Sequence, residues 1–294
     1  VTLKRITVTA PAKINLILEI QGRRPDGYHE LKTVMHTLEL ADRVAIRETR
    51  EPGIRVTCDH PDVPQGEGNL VYKAAGKLAE ACGRKPAVHL HITKRIPMAA
   101  GMGGGSSDAA AALLGLARLW QWDHPRKLAS IAGELGSDVP FLLRGGCCFG
   151  TGRGDRLISW PEAPGLPILV VNPGFPVSTA TVYKNVSLAL TTQKAYINMM
   201  RQALVEKNVE KISKYLLNHL ETVTERMHPV IAAIKKKLLE HGALAAMMSG
   251  SGPTVFGLVP SFAVGKKIQA RLSGEYPTVL LTRTSSHLFR EGEV

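Results

Sequence analysis

Apolar and polar positions along the chain follow two periods, and neither persists for long. Residues 5–10 and 14–20 (INLILEI in the second) alternate or run apolar, as strands do. GRRPDGYHE is a turn-rich loop. Residues 33–47 again read as strand material, interrupted near Ala41 and Asp42, and IRVTCDH is a further alternating piece. NLVYKAAGKLAEACG repeats its apolar positions at helical spacing, with Asn69 at its start and Gly83 at its end. AVHLHITKRI reads as a strand on which His89, His91 and Thr93 share one half-exposed face. Helices are predicted over residues 106–122 and 125–135, and GCCFGTGRGDRL reads as strand, glycine turn, strand. From about Pro161 the pattern restarts. LPILVVNP is a buried strand, helices fall around 193–205, 208–219 and 229–241, and AAMMSGSGPTVFGLV is strand, glycine turn, strand. SFAVGKKIQARLSG is a helix and TVLLTRTSS a closing strand. Strands and helices mix in both halves without a strict β-α-β rhythm, which predicts an α+β fold.

Length adds that the 294 residues make one large domain or two lobes and can bury a sizeable core without metal or disulfide staples. The formal charge of +12 suits anionic partners: nucleic acid, acidic lipid or phosphorylated small molecules. The four cysteines form no C-x-x-C pair, and Cys147 and Cys148, adjacent on a strand, are expected to face opposite sides. A reducing cytoplasm is the expected location. The opening VTLKRITVTAPAKINL lacks a signal-peptide core and no 18-residue apolar run exists, so membrane insertion is not expected.

The stretch PMAAGMGGGSSDAAAALLGLARLW changes the picture most. Bare backbone N–H groups in a glycine loop can approach a phosphate chain closely. A helix that starts there adds unpaired first-turn amides and the positive end of its dipole. Ser106 and Ser107 can cap that helix or bond phosphate oxygens, and Asp108 is expected in its first turn. The pattern G-x-x-x-x-G-K-[ST] is absent, and G-x-G-x-x-G fails because Ser106 stands at its last position.

P-x-x-x-G-x-G-x-S-S resembles the central motif of the GHMP small-molecule kinases. PAKINL near one end and MSGSGPTVFGL near the other stand where that family has its remaining motifs. The resemblance implies two lobes: residues 1–160, similar to a ribosomal-protein domain 2-like fold and carrying the phosphate loop, and residues 161–294, a ferredoxin-like α+β lobe. It implies ATP as co-substrate, held by Pro97, Met98, Ala99, Ala100, Gly101, Met102, Gly103, Gly104, Gly105, Ser106 and Ser107. Asn69, opening a helix with Leu70, is expected at the adenine. Mg²⁺ is expected to travel with the nucleotide. No carboxylate cage for it is visible, and Ser106 is the candidate ligand.

RPDGYHEL and GSDVPF separate the chain from most of that family. With the other motifs they resemble the branch whose acceptor is a cytidine-diphosphate-linked methylerythritol, phosphorylated on its 2-hydroxyl for non-mevalonate isoprenoid precursors. By that resemblance Asp138 is the catalytic aspartate that accepts the hydroxyl proton. Lys13 is the lysine that keeps it ionised and stabilises the developing alkoxide. Tyr28 can stack on a pyrimidine and His29 can bond its edge; Asn15, Thr179 and Tyr183 match further substrate contacts. The family's N-D-L-E reads NHLE here, with His219 at the acidic position, and that stretch is given no role. A homoserine or mevalonate type of GHMP kinase remains an alternative, although a base pocket is useless to it. An RNA-binding protein is a further alternative. Against it, aromatic content is 5% and no RNP-like stacking motif is present. Neither nucleic acid nor membrane is an expected partner; the state expected is a monomer or weak homodimer.

Overall fold

The structure, a computed structural model, describes residues 3–161, 165–186, 194–286 and 291–292. Its first layer is built on two long strands, β1 (Arg5–Arg23) and β2 (His29–Glu48), paired antiparallel along their whole length. The two apolar runs read from the first twenty residues are one strand, because Pro11 and Ala12 continue the ladder instead of ending it. Strand β2 is shared by two neighbours. Its second half pairs with β4 (Ala87–Thr93), which carries β3 (Gly53–Cys58) in parallel, and its first half pairs with β5 (Cys147–Gly152), followed by β6 (Arg156–Ser159).

One face of this sheet is covered by α1 (Leu70–Ala81) and α2 (Gly104–Leu119), with α3 (Pro125–Leu135) and α4 (Val139–Arg144) beyond them. Helix α2 is buried almost all round, which its sequence permits because the four alanines 109–112 let neighbours come close. Gly115 continues that logic: a Cβ there would lie 2.5 Å from Ile46 Cδ1.

The second layer is a four-stranded antiparallel sheet of order β11-β7-β10-β9, from β7 (Pro167–Asn172), β9 (Ala245–Met248), β10 (Val255–Leu258) and β11 (Thr278–Arg283). Between β7 and β9 run α5 (Thr179–Lys184), α6 (Lys194–Val205), α7 (Val209–Lys214), the two-residue β8 (Leu217–Asn218), α8 (Glu221–Met227) and α9 (Val230–Glu240). Helix α10 (Phe262–Leu272) precedes β11, and β12 (Glu291–Gly292) closes the chain's described part. The buried strand β7 shows period two: Leu169 and Val171 face Ile234, Leu238 and Ile268, while Ile168 and Val170 face Ile14, Leu16 and Val34 of the first layer. Cys147 and Cys148 likewise belong to different clusters, as their adjacency on a strand requires.

Five helices differ from the sequence reading. Helix α2 starts at Gly104 and ends at Leu119, so Asp108 lies in its second turn. The helix expected over 208–219 ends at Lys214, and its remainder pairs in parallel with β1. Helices α4, α5 and α8 were not anticipated: each has six or seven residues, too few to show a helical period. The helix expected from residue 193 is described from Lys194 onward.

His36, on β2, is fully buried. Its Nδ1–H donates to the Thr37 carbonyl at 3.0 Å, and its Nε2 has no partner. Burial lowers its pKa from 6.5 to about 4. The folded state therefore holds a neutral ring where the unfolded chain takes up a proton. Stability from His36 is present above pH 6.5 and is lost as pH falls towards 4, on the order of 3 kcal/mol across the window. Denaturant titrations should show this acid-side loss in the wild type and a shallower one in His36→Leu. Parallel pH profiles would remove His36 from the account.

Candidate active site

A cleft of about 560 Å³ opens between the layers, and its walls come from segments distant in sequence. Strand β1 supplies Lys13 and Asn15. Register shifts flank both residues, and such irregularities re-aim side chains locally. The buried Lys13 Nζ donates to Asn15 Oδ1 at 2.8 Å, and Asn15 Nδ2 donates to Thr33 Oγ1 at 2.9 Å. Asp138, 125 residues from Lys13 in the chain, brings Oδ2 to 3.7 Å from the same ammonium. Asp138 stands at the start of α4, yet its carboxylate makes no capping bond and keeps 37% of its side chain exposed to the cleft. A buried cation thus faces a carboxylate whose oxygens are open on the other side.

The glycine loop forms the next wall. Gly103, at φ 73°, precedes α2, and no side chain caps the helix. The N–H groups of Gly104, Gly105 and Ser106 occupy the first turn, where a helix has no internal acceptors for them. Pro97, Met98, Ala99, Ala100, Gly101 and Gly103–Ser106 line the cleft. Met102 and Ser107 differ from the expectation. Met102 is buried in the core and its carbonyl accepts from Lys13 N; Ser107 is buried and donates to the Pro11 carbonyl at 2.8 Å. Apolar packing wins for one and an internal acceptor for the other. Both tie the loop to β1.

A second glycine turn presses on the first. Ser249 Oγ donates to the Gly101 carbonyl at 3.0 Å, and Gly250 and Gly252 take positive φ. The NHLE stretch, given no role from sequence, braces that turn. Asn218 Nδ2 donates to the carbonyls of Met248 and Gly250, each at 2.8 Å, and Glu221 accepts from Met248 N at 2.6 Å. His219 Nδ1 accepts from Ile20 N at 3.1 Å, and burial lowers its pKa against the opposing pull of Glu19.

Asn69 also lines the cleft, but its side chain is committed. It caps α1 by accepting from Val71 N at 2.8 Å and donates to the Pro64 carbonyl. Asp108 was read as a charge favoured near the helix start. It instead bonds Lys94 Nζ at 2.8 Å, and Lys94 also bonds Asp42. Burial, only partly offset by Lys94, pushes the Asp108 carboxyl up to about 7. This lysine-centred cluster at the loop's edge has no local pattern in the sequence, since its three members come from β2, α2 and the segment after β4.

Beside the cleft lies a second hollow of about 830 Å³, lined by Tyr28, His29 and Tyr183 among others. The His29 and Tyr183 rings stand 5.2 Å apart, tilted by 32°. Burial first and the Asp138 carboxylate second hold the Tyr183 phenol above its ordinary pKa. Tyr28 is 55% exposed, with Arg153 over its ring at 5.0 Å. Thr179 borders both hollows, its hydroxyl 2.8 Å from that of Ser251. All the remaining sequence-predicted residues line one hollow or the other. His89 and His91 lie apart from both, their rings bonded to the Thr57 hydroxyl at 2.8 and 2.9 Å.

Comparison with known proteins agrees with this layout. The model of the GHMP kinases N terminal domain matches residues 69–146, and that of the GHMP kinases C terminal domain matches residues 200–278. A 4-diphosphocytidyl-2-C-methyl-D-erythritol kinase of Pelotomaculum thermopropionicum is 45% identical over 280 residues, which is 95% of this chain and 98% of the relative. A crystal structure of a 4-(cytidine 5'-diphospho)-2C-methyl-D-erythritol kinase superposes with TM-score 0.81 at 33% identity, covering 96% of this chain and all of the other. A homoserine kinase from Cytophaga hutchinsonii superposes with TM-score 0.78 at 19% identity, over 98% of this chain and 97% of that one, which speaks for the fold alone.

The contact between the two glycine turns yields a prediction. A Cβ on Gly101, at φ 73°, would lie 2.0 Å from the Ser249 carbonyl oxygen, with backbone on both sides. Gly101→Ala should cost about 2 kcal/mol or more in stability and raise the KM for ATP at least about tenfold. An unchanged melting temperature and KM would show that the turns do not need this approach.

Proposed function

The chain belongs to the GHMP kinase family, and on that premise we propose that it transfers the γ-phosphoryl group of ATP to the 2-hydroxyl of 4-diphosphocytidyl-2-C-methyl-D-erythritol. The observation that carries the reading is the Lys13–Asp138 pair on the wall of the first of two unlike hollows, beside Ser137, which lines both. One is walled by bare amides suited to a triphosphate and the other by aromatic rings suited to a nucleobase. A relative of that name, 45% identical over nearly the whole chain, supports the same choice of acceptor. The two family matches fall on either side of residue 160, which supports lobes of 1–160 and 161–294. The short strands β8 and β12, from the second lobe, nevertheless pair with β1 of the first.

The chemistry asks for alignment, charge neutralisation and a proton acceptor. The first-turn amides of α2 and the positive end of its dipole bind the triphosphate. The acceptor hydroxyl lies against Asp138, whose carboxylate takes the proton as oxygen bonds to the γ-phosphorus. The bond from that phosphorus to the bridging oxygen breaks, and ADP leaves. Lys13 keeps Asp138 ionised before the step and opposes the negative charge that develops on the attacking oxygen. Asn15 holds the ammonium in place, and Thr33 holds Asn15. His29 and Tyr183 flank the cytosine, with Tyr28 at the rim.

Ser106 offers a hard hydroxyl oxygen on the cleft wall, which fits one ligand position of a Mg²⁺ ion arriving on the nucleotide with much of its water retained. Bound there, the ion would supply further neutralisation of phosphate charge.

The test is a coupled kinase assay with ATP and the cytidine-linked substrate on the wild type, Asp138→Asn and Lys13→Met. Turnover should fall by about 10²–10⁴-fold in the aspartate variant, the range for loss of a general base, with the fold intact by circular dichroism. Near-wild-type turnover in Asp138→Asn would exclude proton transfer to that carboxylate. Phosphorylation of homoserine or mevalonate in place of the cytidine compound would overturn the substrate.

A further inference from the structure

Accepting the reaction just proposed, its acceptor has three parts: a base, a diphosphate and a polyol. The rings of Tyr28, His29 and Tyr183 take one end and Asp138 takes the other. The diphosphate must therefore cross the waist between the two hollows. Five residues line both hollows: Leu31, Ser137, Arg153, Thr179 and Tyr183. Among these described residues Arg153 alone carries a charge. Lys13 and Lys94 line only the first hollow, and Arg23 and Lys184 only the second. We propose that Arg153 binds the diphosphate bridge and is the residue by which this site selects a nucleoside-diphosphate-linked alcohol over a bare one.

The hairpin between β5 and β6 is built to present this side chain. Gly152 and Gly154, at φ 71° and 90°, turn the chain on either side of Arg153. Gly152 N donates to Glu30 Oε1 at 3.0 Å, which fixes the tip to β2. Asp155 Oδ2 accepts from Arg153 Nε at 3.1 Å and from Nη2 at 2.9 Å, and its Oδ1 accepts from the Arg153 backbone N–H at 3.2 Å. One edge of the guanidinium is thereby pinned and its plane oriented, while Nη1 has no hydrogen-bond partner among the described residues. The Tyr28 ring lies 5.0 Å from the guanidinium carbon. The same cation thus supports the ring that would stack on the base and offers N–H groups to the group next to that base. A guanidinium is the side chain suited to this double duty, since it is planar, permanently charged and forked to match phosphate oxygens.

The other charges near the hairpin tip are already matched: Asp26 and Glu30 pair with Arg24, and Asp138 faces Lys13. Arg153 is thus the cation at the waist itself, where the two hollows share a wall.

The experiment compares the wild type with Arg153→Gln and Arg153→Lys. It measures KM for the cytidine-linked substrate and for ATP, and inhibition constants for CDP and for cytidine. Loss of charged hydrogen bonds corresponds to about 10–100-fold in affinity. Arg153→Gln should raise KM for the cytidine-linked substrate and the inhibition constant of CDP by that factor. The KM for ATP and the inhibition constant of cytidine should stay within about threefold. Arg153→Lys, which keeps the charge without the fork, should fall between. If Arg153→Gln weakens cytidine as much as CDP, the side chain acts only through Tyr28 and the proposal is overturned. The proposal is likewise overturned if CDP binding is unaffected in both variants while the wild type prefers CDP to cytidine. A wild type that binds neither compound would instead overturn the substrate assignment on which this inference rests.

Discussion

Two stretches of bare backbone press against each other at Gly101 and Ser249, and the working parts of the molecule are arranged around that contact. No side chain fits between them: a single added carbon on Gly101 would overlap the Ser249 carbonyl. The contact joins the amides at the start of α2 to the turn between β9 and β10, so one loop from each layer shares a wall of the cleft. Asn218, Glu221 and Thr224 hold the second turn from behind, while Ser107 and the Met102 carbonyl hold the first to β1. The same β1 segment carries Lys13, so the phosphate loop and the ammonium are positioned by one local network.

Charge is distributed around this contact in separate stations. At the loop's edge Lys94 stands between Asp42 and Asp108, three ionisable groups buried together with one cation for two acids. The arrangement favours a proton on Asp108, which burial holds near neutrality in its titration. At the centre, Lys13 faces the half-exposed Asp138. At the waist, Arg153 stands over Tyr28. The chain's excess of basic residues therefore matters through a few placed cations, and the net figure of +12 says little about where they are.

The parts legible in the sequence are those whose chemistry is local. The glycine loop before an alanine-rich helix is recognisable because close phosphate approach and helix initiation both act within about ten residues. The long strands and helices follow from their apolar periods. The α+β class is borne out, and so is the family resemblance that rested on motifs at both ends of the chain. What could not be read is what tertiary packing decides. The side-chain roles of Ser107, Asn69 and Asp108 depend on their partners: carbonyls that accept at Pro11 and Pro64, and an ammonium that donates at Lys94. The NHLE stretch is given no role from sequence because the partners of Asn218, the carbonyls of Met248 and Gly250, lie about thirty residues on. Arg153 read only as part of a glycine turn, since nothing nearby in sequence announces Tyr28 beneath it.

The central claim is spatial: one cleft holds the nucleotide's phosphates against bare amides and the acceptor alcohol against Asp138 at the same time. A crystal structure of the ternary complex with a non-hydrolysable ATP analogue and the cytidine-linked alcohol tests it most directly. The account predicts terminal phosphate oxygens within hydrogen-bond distance of the N–H groups of residues 103–106, and the acceptor hydroxyl within about 3 Å of the Asp138 carboxylate. A nucleotide seated away from that loop, or an acceptor hydroxyl beyond reach of Asp138, would contradict it.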